Sequence, residues 1–112
     1  MTGVALCRLA DIADGGSAGF VATKPDGVRV AVLAVRRGER VFAYVNSCPH
    51  TLAPLDFQPG QFLTLDRTLI QCSTHGALFR IEDGFCIKGP CAGKSLAPLA
   101  VAVENGTVRL SG

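Results

Sequence analysis

Short runs of alternating apolar and polar residues, separated by turn sequences, constrain this chain more than any other feature. The clearest runs are GVRVAVLAV (27–35) and ERVFAYVN (39–46), which are rich in β-branched and aromatic residues and are joined by a glycine-containing turn. A further run, GFVAT (19–23), ends at a Pro-Asp-Gly turn sequence. A period of two is typical of β-strands, because successive side chains of a strand point to opposite faces of the sheet. These residues therefore predict a β-hairpin preceded by another strand.

Two later segments place a turn dipeptide between alternating runs. LAVAVENGTVRL (99–110) has Asn-Gly at its centre, and FRIEDGFCI (79–87) has Asp-Gly. Both dipeptides tolerate the positive φ angles that tight hairpin turns require. FLTLDRTLI (62–70) predicts one more hairpin, whereas helical periodicity is limited to a single short turn within LADIADGG (9–16). The predicted fold class is all-β, with short strands in a sandwich or barrel.

Length and charge limit the organisation of the chain and its partners. A chain of 112 residues forms one domain, predicted to span residues 1–112, and is too short for a second core. The net charge of +2 provides no basic stripe for nucleic acid or an anionic membrane surface. The charged stretch RRGER (36–40) is interpreted as a solvated hairpin turn. No nucleic-acid or membrane partner is expected, and the oligomeric state is left open.

The N-terminal stretch and the cysteine count indicate where the protein resides. Only a four-residue apolar run precedes Arg8, and no basic leader is present, so neither a signal peptide nor a spanning helix is predicted. A cytoplasmic location follows as the expectation. Reducing conditions there disfavour a disulfide framework, and the five cysteines are an odd number. Metal binding is the better use of clustered cysteines in this setting.

Three segments between the strands do not resemble ordinary solvated turns. They cover approximately residues 47–61, 72–77 and 88–98, and they are rich in Pro, Gly, Cys and apolar residues. Loops of this composition are expected to pack on one another or on a bound group.

The only two histidines of the chain both lie close to a cysteine in these loops. Cys48 and His50 stand in the first loop, and Cys72 and His75 in the second. Thiolates and imidazoles together form a four-ligand set that suits either one zinc ion or a [2Fe-2S] cluster. Zinc knuckles more commonly use Cys-X2-Cys or His-X3-5-His pairs. Mixed ligands within each loop favour the cluster, with both cysteines on one iron and both histidines on the other.

The sequences CPH (48–50) and CSTHG (72–76) resemble the Rieske pattern, Cys-X-His in one loop and Cys-X-X-His-Gly in the next. Gly89-Pro90 is similar to the proline loop that covers the cluster in that family. The resemblance implies a three-sheet antiparallel β sandwich with a small cluster-binding subdomain at one tip. It also implies one [2Fe-2S] cluster per chain, with Cys48, His50, Cys72 and His75 as its ligands.

The family resemblance further implies a carrier of single electrons. The expected role is that of a low-potential ferredoxin between a flavin-dependent reductase and a terminal non-haem iron oxygenase. The chain itself is not expected to be an enzyme, because no histidine remains to build the mononuclear iron site of an oxygenase. The alternative function is a metal-stabilised module, holding iron-sulfur or zinc, that senses redox state or binds another protein.

The identities of residues 77 and 79, which follow the second histidine, bear on the redox potential. High-potential members of the family carry serine and tyrosine hydroxyls where this chain has Ala77 and Phe79. Without these two donors the reduced cluster is less stabilised, so a potential at the low end of the range is expected.

The remaining cysteines and two phenylalanines are expected to be structural. Cys7 is predicted to be a buried, inert thiol in a first strand, and Cys86 and Cys91 to serve packing more than a disulfide. Phe79 and Phe85 are assigned to the core.

Overall fold

The computed structural model describes residues 4–24, 26–47, 62–64, 68–72, 76–89 and 93–110. The strands within these residues are β1 (Val4–Arg8), β2 (Ser17–Thr23), β3 (Arg29–Arg37), β4 (Arg40–Val45), β5 (Leu69–Gln71), β6 (Leu78–Arg80), β7 (Cys86–Lys88), β8 (Pro98–Leu99), β9 (Val101–Glu104) and β10 (Thr107–Leu110).

These strands form three antiparallel sheets. The first sheet has the order β1-β10-β9, the middle sheet β2-β3-β4-β8, and the third sheet β5-β6-β7. The three-sheet, all-β prediction is therefore confirmed. The third sheet is inserted in the chain between β4 and β8, which are neighbours in the middle sheet.

The middle sheet is covered on both faces. Val32 and Ala43 belong to a buried apolar cluster with Leu110 of the first sheet. Leu33 and Tyr44, each one residue further along its strand, belong to a second cluster that includes most of the buried residues of the third sheet. Because neighbouring strand residues point to opposite faces, these two clusters lie on opposite sides of the middle sheet.

The predicted hairpins form, with one difference in a turn. Asn105 and Gly106 have φ angles of 52° and 75°, as their dipeptide predicts. The connection between β6 and β7 is longer than the Asp-Gly pair and covers residues 81–85, because Ile81 leaves the strand and is completely buried. Burying an isoleucine side chain is worth roughly 2 kcal/mol, which favours the wider turn.

The segment between β1 and β2 contains the short helical turn that the sequence predicts, a 3-10 turn over Leu9–Asp11. The Arg36 guanidinium of β3 donates hydrogen bonds to the carbonyl oxygens of Leu9 and Ile12, at 3.3 and 2.9 Å, and so holds this segment against the middle sheet. None of the helical segments in the described part of the chain is both long and apolar enough to cross a membrane.

A buried hydrogen bond joins the middle sheet to the third. The Tyr44 hydroxyl donates to the Ile81 carbonyl oxygen at 2.6 Å. Gly84 lies against the same ring, and a Cβ atom at this position would come within 2.8 Å of the Tyr44 Cε1 atom. The close approach keeps the turn between β6 and β7 on the tyrosine, and this contact orients the third sheet.

The tyrosine contact predicts a loss of stability at high pH. Burial, together with the Asp83 and Glu82 carboxylates, raises the pKa of Tyr44 from its ordinary value of 10.0 to about 12. The proton is lost from the unfolded chain first, so the free energy of unfolding should be constant below pH 10 and should fall between pH 10 and about 12. Tyr44 is the only tyrosine, so phenolate absorbance reports its pKa directly.

The Tyr44→Phe variant is the control for this experiment. Its free energy of unfolding should be lower by about 1–3 kcal/mol, because the Ile81 carbonyl loses its buried hydrogen-bond donor. Its stability should no longer fall between pH 10 and about 12. The same alkaline loss in both proteins would contradict the assignment to Tyr44.

Candidate metal centre

Strand β5 leads directly into the second of the three predicted loops. A short antiparallel partner supports this strand: Leu63 bridges Ile70, and the Gln71 amide donates to the Phe62 carbonyl at 2.7 Å. These pairings confirm that the two arms of the hairpin predicted over 62–70 come together; residues 65–67 between the arms lie outside the described residues.

Cys72 is the first residue after β5 and has no exposed surface. Its neighbours in the second apolar cluster are Leu33, Val35, Tyr44, Phe62, Ile70, Ala77, Phe79, Ile81, Cys86 and Leu96. A thiolate in such surroundings requires a compensating positive charge, which a bound metal ion supplies. The chemistry and burial of this sulfur therefore fit a metal ligand.

Two backbone hydrogen bonds close the second loop at its base. The Cys72 amide donates to the Ala77 carbonyl, and the Gly76 amide donates to the Cys72 carbonyl, both at 2.8 Å. Gly76 has a φ of 68°, a conformation that glycine adopts without strain. The loop between Cys72 and Gly76 is consequently short and has firmly held ends.

The third loop approaches the second where β7 ends. Gly89 has a φ of 101°, and a Cβ atom built on it would be 2.8 Å from the Ala77 Cα atom and 3.1 Å from its Cβ atom. Only a residue without a side chain fits here. The start of the third loop therefore lies directly against the residue whose carbonyl binds the Cys72 amide.

Of the four predicted ligands, the structure describes only Cys72. The positions of Cys48, His50 and His75 lie outside the described residues, as do Pro90 and Cys91. The four residues therefore remain a prediction as a ligand set. Sequence reasoning did not identify Gly89 as a packing requirement, although the Gly-Pro pair marked the loop that contains it.

Ala77 and Phe79, the two positions expected to set the potential, are both completely buried in the same cluster as Cys72. The assignment of Phe79 to the core is confirmed. Phe85 is 36% exposed, so its assignment to the core was wrong. The inward position belongs to the next residue, Cys86, which is buried.

The two other described cysteines have distinct environments. Cys86 is buried, as expected, and its thiol donates to the Lys88 carbonyl at 3.2 Å. Cys7 lies in β1, as expected, but it is only partly buried. Burial and the Asp11 carboxylate raise the pKa of the Cys7 thiol, which keeps it in the unreactive protonated form.

The contact between Gly89 and Ala77 predicts a specific effect of adding one methyl group. Gly89→Ala should destabilise the protein by about 1–3 kcal/mol and reduce metal retention, because the new Cβ atom displaces the second loop. Gly93→Ala is the matched control: its φ of 90° is similarly strained for alanine, but no atom lies within 4 Å of the added Cβ. Thermal unfolding and bound iron measure both effects. Equal losses in the two variants would show that backbone strain alone is responsible.

Comparison with known proteins agrees with this geometry. The Rieske [2Fe-2S] domain model matches residues 2–105. Ferredoxin CarAc of Metapseudomonas resinovorans is 34% identical over 86 residues, covering 76% of this chain and 75% of that protein.

Two solved structures share the fold. The ferredoxin of carbazole 1,9a-dioxygenase from Nocardioides aromaticivorans IC177 has a TM-score of 0.76 and 22% identity, covering 99% of this chain and 98% of that one. A chain in the complex of reduced oxygenase and oxidized ferredoxin in carbazole 1,9a-dioxygenase has a TM-score of 0.75 and 24% identity, covering 98% and 93%. The family match over nearly the whole length, together with a buried cysteine at the base of the second loop, shows that this chain belongs to the Rieske [2Fe-2S] domain family, whose cofactor is one [2Fe-2S] cluster.

Proposed function

We propose that this protein is a low-potential Rieske ferredoxin that carries single electrons from a flavin-dependent reductase to a terminal non-haem iron oxygenase. The observation that carries the proposal is the family match over residues 2–105, which leaves little of this chain outside the cluster-binding domain. We extend that domain to the whole chain, residues 1–112, with cluster loops at about 47–61, 72–77 and 88–98.

The relatives support a role beside an oxygenase. The curated relative is a ferredoxin of similar length, since the match covers about three quarters of each chain. One structural neighbour is a complex between an oxygenase and a ferredoxin. The reductase in our proposal is the electron source that such a carrier requires. We place the carrier in the cytoplasm, where reducing conditions keep thiols such as those of Cys7 and Cys86 reduced.

Each proposed ligand has a separate role. Cys48 and Cys72 would hold the inner iron, and the complete burial of Cys72 suits this position. His50 and His75 would hold the outer iron and form the exposed edge through which a partner exchanges electrons. The cluster supplies reversible uptake of one electron. Both histidines of the chain are used in this assignment, so none is left for a catalytic iron site, and the protein acts as an electron carrier.

Alanine variants of Cys48, His50, Cys72 and His75 test the ligand set and the function together. Each variant should lose the cluster, measured as iron and acid-labile sulfide per chain, and should fail to support NADH-driven turnover of a carbazole 1,9a-dioxygenase oxygenase with a flavin reductase. Cys7→Ala is the matched control and should retain both.

Two results would contradict the proposal. Zinc in place of iron would exclude a Rieske cluster. An intact cluster that never transfers electrons to the oxygenase would favour the sensing or protein-interaction module.

A low midpoint potential follows from the side chains at 77 and 79. The wild-type protein should titrate well below high-potential members of the family. A hydrogen bond to a charged group is worth about 1.5–3 kcal/mol, and in a one-electron couple this corresponds to a rise of roughly 65–130 mV. Phe79→Tyr should therefore raise the midpoint by that amount. Phe42→Tyr, a change at a partly buried ring of the middle sheet, should leave it unchanged. A strongly positive wild-type midpoint would refute this expectation.

A further inference from the structure

Strand β7 exposes apolar side chains on its outer face. Phe85, just before the strand, is 36% exposed and Ile87 is 47% exposed, whereas Cys86 between them is buried. The two exposed residues flank the buried Cys86 in sequence, at a point where the pairing of β7 with β6 is irregular, with Leu78 opposite Lys88 and Phe79 opposite Cys86. We refer to Phe85, Ile87, Lys88 and Lys94 as the β7 surface.

The β7 surface begins beside the metal loops. Lys88 is the last residue of β7 and pairs with Leu78 of β6. The next residue, Gly89, lies against Ala77, whose carbonyl accepts the Cys72 amide. Neighbouring strands are about 4.8 Å apart, so Lys88 stands roughly one strand spacing from the base of the second loop.

Lys94 places a second positive charge along the other side of β7. Its carbonyl accepts the Cys86 amide at 2.8 Å, and the following residue, Ser95, bridges Phe85. Lys94 therefore belongs to the segment that pairs with β7. Both lysine side chains are exposed, and both residues belong to the predicted third loop, residues 88–98.

Within the described residues, the two lysines of the β7 surface form no ion pairs, whereas other charged residues of the β6–β7 hairpin do. At the opposite end of the β6–β7 hairpin, Arg80 pairs with Asp83, and Glu82 pairs with Arg37. The Arg80 guanidinium also lies over the Phe85 ring, 5.2 Å from its centre, so the charge beside Phe85 is paired, whereas the exposed Lys88 and Lys94 are unpaired within the described residues.

We propose that the β7 surface is the docking surface for a redox protein that presents carboxylates around an apolar contact. This inference rests on the proposed function and specifies the partner. An apolar centre with a charged rim is the usual composition of a transient interface. Opposite charges at the rim accelerate association and select the partner by sign. The exposed Phe85 and Ile87 supply the centre, and the two lysines select for an acidic partner.

The charge requirement is tested with two defined protein probes, cytochrome b5 as the acidic one and cytochrome c as the basic one. The dithionite-reduced wild-type protein should transfer electrons to cytochrome b5 at a rate that falls as salt is added, because salt screens the attraction. In the double variant Lys88→Glu, Lys94→Glu this rate at low salt should fall by about tenfold, while the rate with cytochrome c should rise.

The control double variant Lys24→Glu, Arg29→Glu makes the same change of net charge on the β2–β3 hairpin, in the middle sheet. Its rate with cytochrome b5 should stay within about twofold of the wild-type rate. Equal losses in the two double variants would show that only net charge matters and would overturn the proposal. An unchanged rate in the Lys88, Lys94 variant would also overturn it.

The apolar centre is tested separately. Ile87→Ser should raise the cytochrome b5 concentration needed for half-maximal electron transfer. The factor should be similar at low and high salt, because salt does not screen an apolar contact. Val21→Ser is the matched control, since Val21 is 64% exposed but lies on β2 in the middle sheet. Equal effects of the two serine changes would exclude the β7 surface as the apolar contact.

Failure of the docking proposal differs from failure of the proposed function. If the wild-type protein lacks stoichiometric iron and sulfide, or if its reduced form gives no electron to either cytochrome, the proposed function as an electron carrier is wrong. If the wild-type protein reacts normally but the variants show no dependence on Lys88, Lys94 or Ile87, only the docking surface is wrong.

Discussion

Strand β3 buries four consecutive residues, Val32–Val35, and because successive side chains point in opposite directions, both faces of the middle sheet must be covered. The first sheet covers one face, and the third sheet, which carries the candidate metal loops, covers the other. The loops thus depend on the same apolar contacts that stabilise the whole molecule. A domain of this size has only this core on which to build a site.

In the described residues, backbone contacts hold the base of the second loop and the start of the third. The second loop is closed by the hydrogen bonds between Cys72 and residues 76 and 77, and the third loop packs against it through a glycine. The Tyr44 hydroxyl holds the far end of the third sheet on the middle sheet. The third sheet is therefore attached to the middle sheet at its far end, which suits a protein that presents one redox centre to a partner.

Burial and charge divide the third sheet into two functional faces. Its inner face brings Cys72, Ala77 and Phe79 together in a dry environment without hydroxyl donors on the last two, which favours a low potential. Its outer face leaves Phe85 and Ile87 in solvent beside two lysines. One short sheet thus accounts both for the expected redox property and for the proposed choice of partner.

The sequence by itself determined the fold class, the hairpins and the candidate ligands, because strand alternation, turn dipeptides and ligand spacing are local patterns. It also identified Ala77 and Phe79, which stand at short fixed offsets from the second histidine. The tertiary structure alone decided the exposure of Phe85, the burial of Ile81 in a widened turn and the need for glycine at 89. Each of these depends on which residues of distant segments meet, and no local pattern contains that information.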